Sequence, residues 1–277
     1  PEAYKKFFYE KNNTLHNRLM ATVIDSTIIT PQGMKVIFSP GSSLTFQSTG
    51  QLISAGGIDF NGTKDSRISV NSTDEASNGG ILVSESSNIS TIKYTDFLNL
   101  KGVFLDNKII TGCVNFYKSK INIKESTFDN NINKDDFINI VNSDFNINNT
   151  VIKNSNADSI DIDFSQGVID NLKIYNSGND GLDFSGSKIS LNNIYIENSQ
   201  DKAISVGENS RVNANSITVN ESFIGVAVKD GSFFEAKLAY LNNNKFDYVS
   251  FIKKPEYGTP VLNIIEGAQK FSYLLGE

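Results

Sequence analysis

The 277-residue chain carries 25 Lys and Arg against 31 Asp and Glu, a formal net charge of -6. That balance excludes the basic stripe needed to displace counterions from phosphates, so nucleic acid is not an expected partner. No apolar run reaches the ~18 residues of a membrane-spanning helix, and the single cysteine, Cys113, excludes an intramolecular disulfide.

Residues 1–29 differ in texture from the rest and read as an N-terminal cap or linker. Tyr4, Phe7, Phe8 and Tyr9 are interleaved with Lys5, Lys6 and Lys11. This predicts a short amphipathic helix covering the open end of a stack. No signal peptide is visible, and the chain opens on Pro1, as a mature or excised fragment would. From Thr30 the pattern is extended. Pro31-Gln32-Gly33 and Ser39-Pro40-Gly41-Ser42 are turns, and Val36-Ile37-Phe38 and Leu44-Thr45-Phe46 are strands. Residues 71–80 and 101–112 read as irregular excursions.

After Cys113 a register emerges. Segments begin at Phe137, Ile160, Leu182, Ile204, Val226 and Val249, spaced 22 or 23 residues apart. Apolar residues alternate within them: Ile160, Ile162 and Phe164, then Leu182 and Phe184, then Ile204 and Val206, then Val226 and Val228. Period two places these side chains on one face of a strand. A second strand follows in each repeat, as in Leu172-Lys173-Ile174-Tyr175 and Ile194-Tyr195-Ile196-Glu197. A leucine-rich repeat lacks two strands per period, and a β-sandwich lacks one strict register. The expected fold is therefore all-β: a right-handed parallel β-helix solenoid over residues 30–269, with roughly ten coils at ~4.8 Å each. Residues 270–277 form a C-terminal end that continues into a longer protein if the chain is a fragment. Asn176-Ser177 and Asn198-Ser199 suit hydrogen-bonded ladders at the turns.

Stacking brings distant charges together. One column reads Asp161, Asp183, Ser205, Ala227, Ser250, and another Asp163, Ser185, Gly207, Lys229. Asp158, Asp180 and Lys202 precede the strands, with Asp201 beside them. Glu208, Asp230 and the run Lys253-Lys254-Pro255-Glu256 lie past the strand ends. Stacked carboxylates repel unless offset. Ca2+ bound by Asp158, Asp163 and Asp180 would offset them, though no cofactor is required. So would ion pairs to Lys202 and Lys229, or a carboxyl with a raised pKa serving as an acid. A plain ion-pair ladder fixing coil register accounts for the pattern equally well. The only histidine, His16, lies far from the ladder, which disfavours triads and histidine metal sites. Two carboxylates suit glycoside hydrolysis. A lysine base suits elimination from a uronate, with Lys229 the better-placed base. Asp161, Asp183 and Lys229 are thus the catalytic candidates. Asp201, Lys202, Glu208, Asp230, Lys253 and Lys254 are the substrate-binding candidates. Tyr175 and Tyr195, one coil apart, read as a packing ladder or, less directly, as a sugar-stacking pair.

The chain resembles the right-handed parallel β-helix superfamily of pectate-lyase-like and polygalacturonase-like proteins. The resemblance covers about residues 30–269. Asn179-Asp180-Gly181-Leu182-Asp183 is similar to the Asn-Thr-Asp-Gly-Ile-Asp segment of polygalacturonases, which makes Asp183 a catalytic carboxylate candidate. The next coil carries Gln200-Asp201-Lys202-Ala203 where that family carries Gly-Asp-Asp-Cys. The resemblance implies a protein outside the cytoplasm (extracellular, cell-surface or periplasmic) that binds or modifies an acidic polysaccharide as a lyase, epimerase or hydrolase. The competing expectation is a noncatalytic scaffold, adhesin or assembly module beside another domain of a larger surface or envelope protein, or a trimeric tailspike-like glycan reader.

Overall fold

A computed structural model describes residues 2–267. It is all-β, with about 3% helix, and winds as a parallel β-solenoid of about 11 turns. The chain divides into two compact units, Pro1–Asp144 and Phe145–Glu277. The expected C-terminal end, 270–277, lies outside the described residues.

In the first unit the expected N-terminal helix is replaced by one 3-10 turn, Ala3–Lys6, and an antiparallel hairpin of Phe8–Lys11 with Thr14–Asn17. Asn12 and Asn13 form its bend with φ of 49° and 58°. Both tolerate the left-handed conformation that a two-residue hairpin demands. Parallel pairing starts at once, Leu15 with Val36, so coiling reaches back ahead of residue 30. The turns at Gly33 and Gly41 both have φ of 77°. The strands Lys35–Phe38 and Ser43–Phe46 follow them, as expected.

The core of this unit is an aromatic file. Phe8, Phe38, Phe60, Phe97, Phe128 and Phe137 are at most 1% exposed. Successive ring centroids lie 5.8, 5.0, 6.0, 4.5 and 5.5 Å apart. Register produces two of its steps, since Phe38 pairs with Phe60 and Phe97 with Phe128 in the parallel ladders, and the Phe60–Phe97 contact joins the two columns.

The second unit is more regular. One sheet has the short strands Asp158–Asp163, Leu182–Ser185, Lys202–Gly207, Ile224–Lys229 and Phe246–Phe251. The other has longer ones, including Gln166–Ser177, Lys188–Ser199, Arg211–Asn220 and Phe233–Asn242. Asparagine bends the long strands: Asn171, Asn176, Asn193 and Asn198 have φ between 52° and 61°. Asn is among the few residues that enter this region at low cost. The Asn176 amide donates to Asn154 Oδ1 and the Asn198 amide to Asn176 Oδ1, both at 2.9 Å, forming the expected ladder.

Seven strands of the short-strand sheet are followed directly by a left-handed residue. These are Glu85, Lys118 and Asn142 in the first unit, and Phe164, Gly186, Glu208 and Asp230 in the second. A serine follows closely, and the buried serines form a ladder. The backbone N–H of Ser165 donates to Ser187 Oγ (3.0 Å), that of Ser187 to Ser210 Oγ (3.0 Å) and that of Ser210 to Ser232 Oγ (3.2 Å). The serines thereby satisfy backbone donors that a corner would otherwise bury unpaired.

Two register readings are corrected. Val226 pairs with Tyr248, so Tyr248 rather than Val249 continues the Leu182–Ile204–Val226 column. Ala227 therefore meets Val249, and Ser250 pairs with Val228. A one-residue slip exchanges the faces of a strand, and the aromatic Tyr248 had masked the repeat. Phe164 also leaves the inward file expected for it. Its φ of 49° ends the strand, and the ring is 62% exposed.

Candidate functional site

The outer face of the short-strand sheet in the second unit carries the charges. Ile160 pairs with Leu182 and Leu182 with Ile204, which sets Asp161 beside Asp183 and Asp183 beside Ser205. Asp163, Ser185 and Gly207 form the parallel column. Both acidic columns are half-buried. The face closes where Ala227 and Val249 pack with Ile224, Phe246 and Phe251 into an apolar cluster.

Asp158 and Asp180 sit behind this face and have a structural task. Asp158 Oδ1 accepts the Asp180 backbone N–H at 2.8 Å and the Asn179 amide at 2.7 Å. Asp180 Oδ1 accepts the Lys202 backbone N–H at 2.9 Å. Each carboxylate thus pins the next coil, as the serines do at the opposite corner. Burial pushes Asp158 up to about 7, with Asp180 adding repulsion. Burial also raises Asp180 to about 6, opposed by the Lys202 charge. Lys202 ends this acid column, bridging to Asp180 at 3.4 Å and to Asp201.

Asp163 is the chemically distinctive group. Burial first, then the negative charges of Asp183 and Glu208, push its carboxyl up to about 6. Asp183 lies diagonally across one coil from it. Asp183 Oδ1 and the Oγ of its neighbour Ser205 are both buried without a hydrogen-bond partner, the kind of unmet polar atom that native structures rarely keep without a use.

The structure pairs most of the predicted substrate-binding residues with one another. Asp230 Oδ1 accepts the backbone N–H groups of Lys253 and Lys254, each at 2.6 Å. Lys254 Nζ reaches Glu208, and Lys202 is held as described. The Lys253 side chain is exposed. Lys229 differs. It runs alongside Gly207, where a Cβ would stand 3.4 Å from its Cε and 3.9 Å from its Nζ. Among the described residues it joins none of the ion pairs made by Lys202 and Lys254. For Ca2+, the proposed trio is not gathered: Asp158 and Asp180 face backbone donors, while Asp163 sits on the outer face. Among the described residues no group of three or more His, Cys, Asp or Glu is arranged to hold a metal ion.

Tyr175 and Tyr195 do approach, with ring centroids 5.6 Å apart on the other sheet. The Tyr195 hydroxyl donates to Glu197 and accepts from the Asn220 amide at 3.1 Å. A separate apolar pocket of about 220 Å³ in the first unit is lined by Phe7, Leu19, Ala21 and Val23, with Lys6 and Arg18 at its edge. None of the predicted site residues borders it. Sequence reasoning missed one feature of the acidic face, the exposed Phe164 next to Asp163. Its signal was the alignment of Phe164 with the turn residues Gly186, Glu208 and Asp230.

No family model matches the chain, and no curated protein matches it. Solved structures similar to it include the periplasmic alginate epimerase AlgG, at 11% identity and a TM-score of 0.29, covering 97% of this chain and 81% of that one. The catalytic domain of a GH87 α-1,3-glucanase in complex with nigerose matches at 10% identity and a TM-score of 0.41, over 90% of this chain and 60% of that one. An alginate lyase from Paenibacillus sp. str. FPU-7 matches at 10% identity and a TM-score of 0.29, over 86% and 99%. The chain thus spans less than two thirds of the glucanase domain. The solenoid is defined by the chain's own parallel strand pairing.

Proposed function

We propose that this chain modifies an acidic polysaccharide, cleaving a glycosidic bond with Asp163 as general acid and Asp183 as general base. The observation that carries the reading is the environment of Asp163: a half-buried carboxyl, raised to about 6, facing a second carboxylate one coil away. Environments that separate the roles of two neighbouring carboxyl groups mark acid–base pairs. Asp163 and Asp183 are offset by one ~4.8 Å coil and two ~3.3 Å residue steps, so their Cα atoms stand ~8 Å apart, and two carboxyl groups set ~6.5–9.5 Å apart leave room for the water of inverting hydrolysis. Asp183 takes a proton from that water as its oxygen bonds to the anomeric carbon. The glycosidic C–O bond breaks, and its electron pair takes the proton of Asp163. Lys229, on the same face, supplies an ammonium for a uronate carboxylate. The mechanism calls for no cation.

An acidic glycan of this kind suits a location outside the cytoplasm. Among the described residues no helix is long and apolar enough to cross a membrane. A second reading, a noncatalytic scaffold or adhesin module of a larger protein, is favoured by one observation. The carboxylates of Asp158, Asp180 and Asp230 are all occupied with backbone N–H groups, so much of the charge column serves the fold.

The test is a panel of uronate and neutral polysaccharides assayed for new reducing ends and for the ultraviolet absorbance of unsaturated uronates. Hydrolysis gives the first signal without the second. Asp163→Asn and Asp183→Asn each lower the rate by on the order of 100-fold or more. In the parent protein kcat/KM falls as pH rises past about 6, where Asp163 loses its proton. EDTA leaves the rate unchanged. Full turnover in both variants, or unsaturated products, refutes the assignment.

A further inference from the structure

Seven strands of the short-strand sheet are followed directly by a left-handed residue, and at six of these corners that residue is polar or glycine. The first unit uses Glu85, Lys118 and Asn142 at φ of 54°, 50° and 50°. The second uses Gly186, Glu208 and Asp230 at 60°, 58° and 54°. Within this sheet Phe164 is the exception, at 49°. A bulky aromatic in this region is strained, and strain of that kind persists where the surroundings enforce it. Its ring is also 62% exposed, so burial gives little in return. A lone exposed Phe is ordinary on a protein surface. An exposed Phe at a left-handed corner, in a column otherwise built of turn residues, is not.

The next coil is shaped around it. Gly186 occupies the corresponding corner, and a Cβ there would lie 2.6 Å from Phe164 Cδ1 and 2.8 Å from Cε1. Any other residue at 186 would displace the ring. Glycine therefore does two things here: it accepts a φ of 60° and leaves the space that the ring occupies. The arrangement holds an aromatic surface at the edge of the acidic face, one residue from Asp163.

We propose that Phe164 is a sugar-stacking platform, a subsite that holds one ring of a glycan against the Asp163–Asp183 face. The inference rests on the glycan-cleaving reading for its choice of ligand. Its chemistry is independent of the acid–base step. A pyranose has an apolar C–H face and a polar rim of hydroxyls. The first matches the Phe164 ring and the second matches the carboxylates beside it. Aromatic contacts of this kind are worth about a factor of ten in affinity.

The chain has no tryptophan, so Phe164→Trp installs a single fluorescent reporter at the platform. An oligouronate and a neutral oligoglucan are titrated against this variant. We expect a saturable change in emission with the oligosaccharide that the parent protein cleaves. Phe164→Asn should raise KM roughly tenfold with kcat retained. It should also raise the thermal midpoint, because Asn accepts the left-handed corner more readily than Phe. Gly186→Ala should raise KM in the same way by displacing the ring. A Phe164→Asn variant that melts lower and keeps the parent KM identifies a packing residue and overturns the inference. So does a Trp emission indifferent to the cleaved oligosaccharide. If cleavage is untouched by Asp163→Asn while the Trp signal still saturates, the acid–base reading fails and the platform stands. If Asp163→Asn abolishes cleavage while Phe164→Asn leaves KM unchanged, the platform fails and the acid–base reading stands.

Discussion

Replacing Asp158 by Asn tests the account of the buried acid ladder. The side chain is 7% exposed, and its Oδ1 accepts two hydrogen bonds, from the Asp180 N–H and the Asn179 amide. Asn keeps that oxygen and loses the charge. Burial and the neighbouring Asp180 raise the Asp158 carboxyl from 3.8 to about 7 in the folded state. Below the unfolded pKa of ~3.9 the group is neutral in both states and costs nothing. As pH rises toward 7 the unfolded chain releases the proton first, so the native state binds more protons and stability falls with pH. At 1.36 kcal/mol per pKa unit, the full displacement corresponds to ~4 kcal/mol lost by pH 8. Coupling to Asp180 shares part of that cost between the two groups.

The expected result is therefore pH-dependent. At pH 8, Asp158→Asn should be more stable than the parent by about 2–4 kcal/mol. Near pH 4 the two proteins should coincide. Urea unfolding at pH 4, 6 and 8, followed by circular dichroism, provides the comparison. Asp158→Ala is the control. It removes the acceptor as well as the charge and leaves the Asp180 N–H unpaired, a penalty of about 1–3 kcal/mol present at every pH. A gap between Asp158→Asn and parent that is the same at pH 4 and pH 8 would refute the ladder as the source of the pH dependence.

Two further substitutions probe the fold. Asn176→Ala removes both rungs that join Asn154, Asn176 and Asn198 and places Ala at a φ of 60°. It should lower stability by about 1–2 kcal/mol, and Asn176→Gly should recover the part due to the backbone. Phe97→Ala opens the aromatic file between Phe60 and Phe128 and should cost about 3–5 kcal/mol. A loss under 1 kcal/mol in denaturant melts would show that the file is not a packed core.

The two units differed in how readily they could be read. In the second, Leu182, Ile204 and Val226 recur every 22 residues because no loop interrupts the coils. The period itself specifies which residues stack. In the first, Phe38 pairs with Phe60, Phe60 with Ile92 and Phe97 with Phe128, at separations of 22, 32 and 31 residues. The irregular stretches after Ser72 and Leu100 lengthen a coil without breaking the pairing of its strands. Spacing then hides a register that only strand pairing reveals. The N-terminal residues failed for a different reason. Aromatic and lysine residues at 4–11 satisfy a helical pattern, but Asn12-Asn13 favours a hairpin bend, and pairing with Thr14–Asn17 satisfies the backbone of Phe8–Lys11.

For the site, composition identified the charged columns but not the partner of each carboxylate. Asp158, Asp161, Asp163 and Asp183 look alike in sequence. Asp158 becomes a backbone acceptor because it lies at the strand's entry, where the next coil's N–H is turned toward it. Asp163 lies at the exit, where like charges gather and no such donor is available to lower its pKa. Phe164 shows where the rule of alternation stops. Ile160 and Ile162 point inward because the backbone is extended through Asp163. One residue later the chain enters the left-handed region and the inward parity no longer applies. The informative comparison for residue 164 is therefore vertical, with Gly186, Glu208 and Asp230, rather than horizontal, with Ile160 and Ile162. In a solenoid the residues one coil away share a backbone conformation, whereas residues two positions away share it only within a strand. An apolar residue standing in a vertical column of turn residues is held against its own preferences, and at Phe164 that places a ring in solvent next to the most perturbed carboxyl of the outer face.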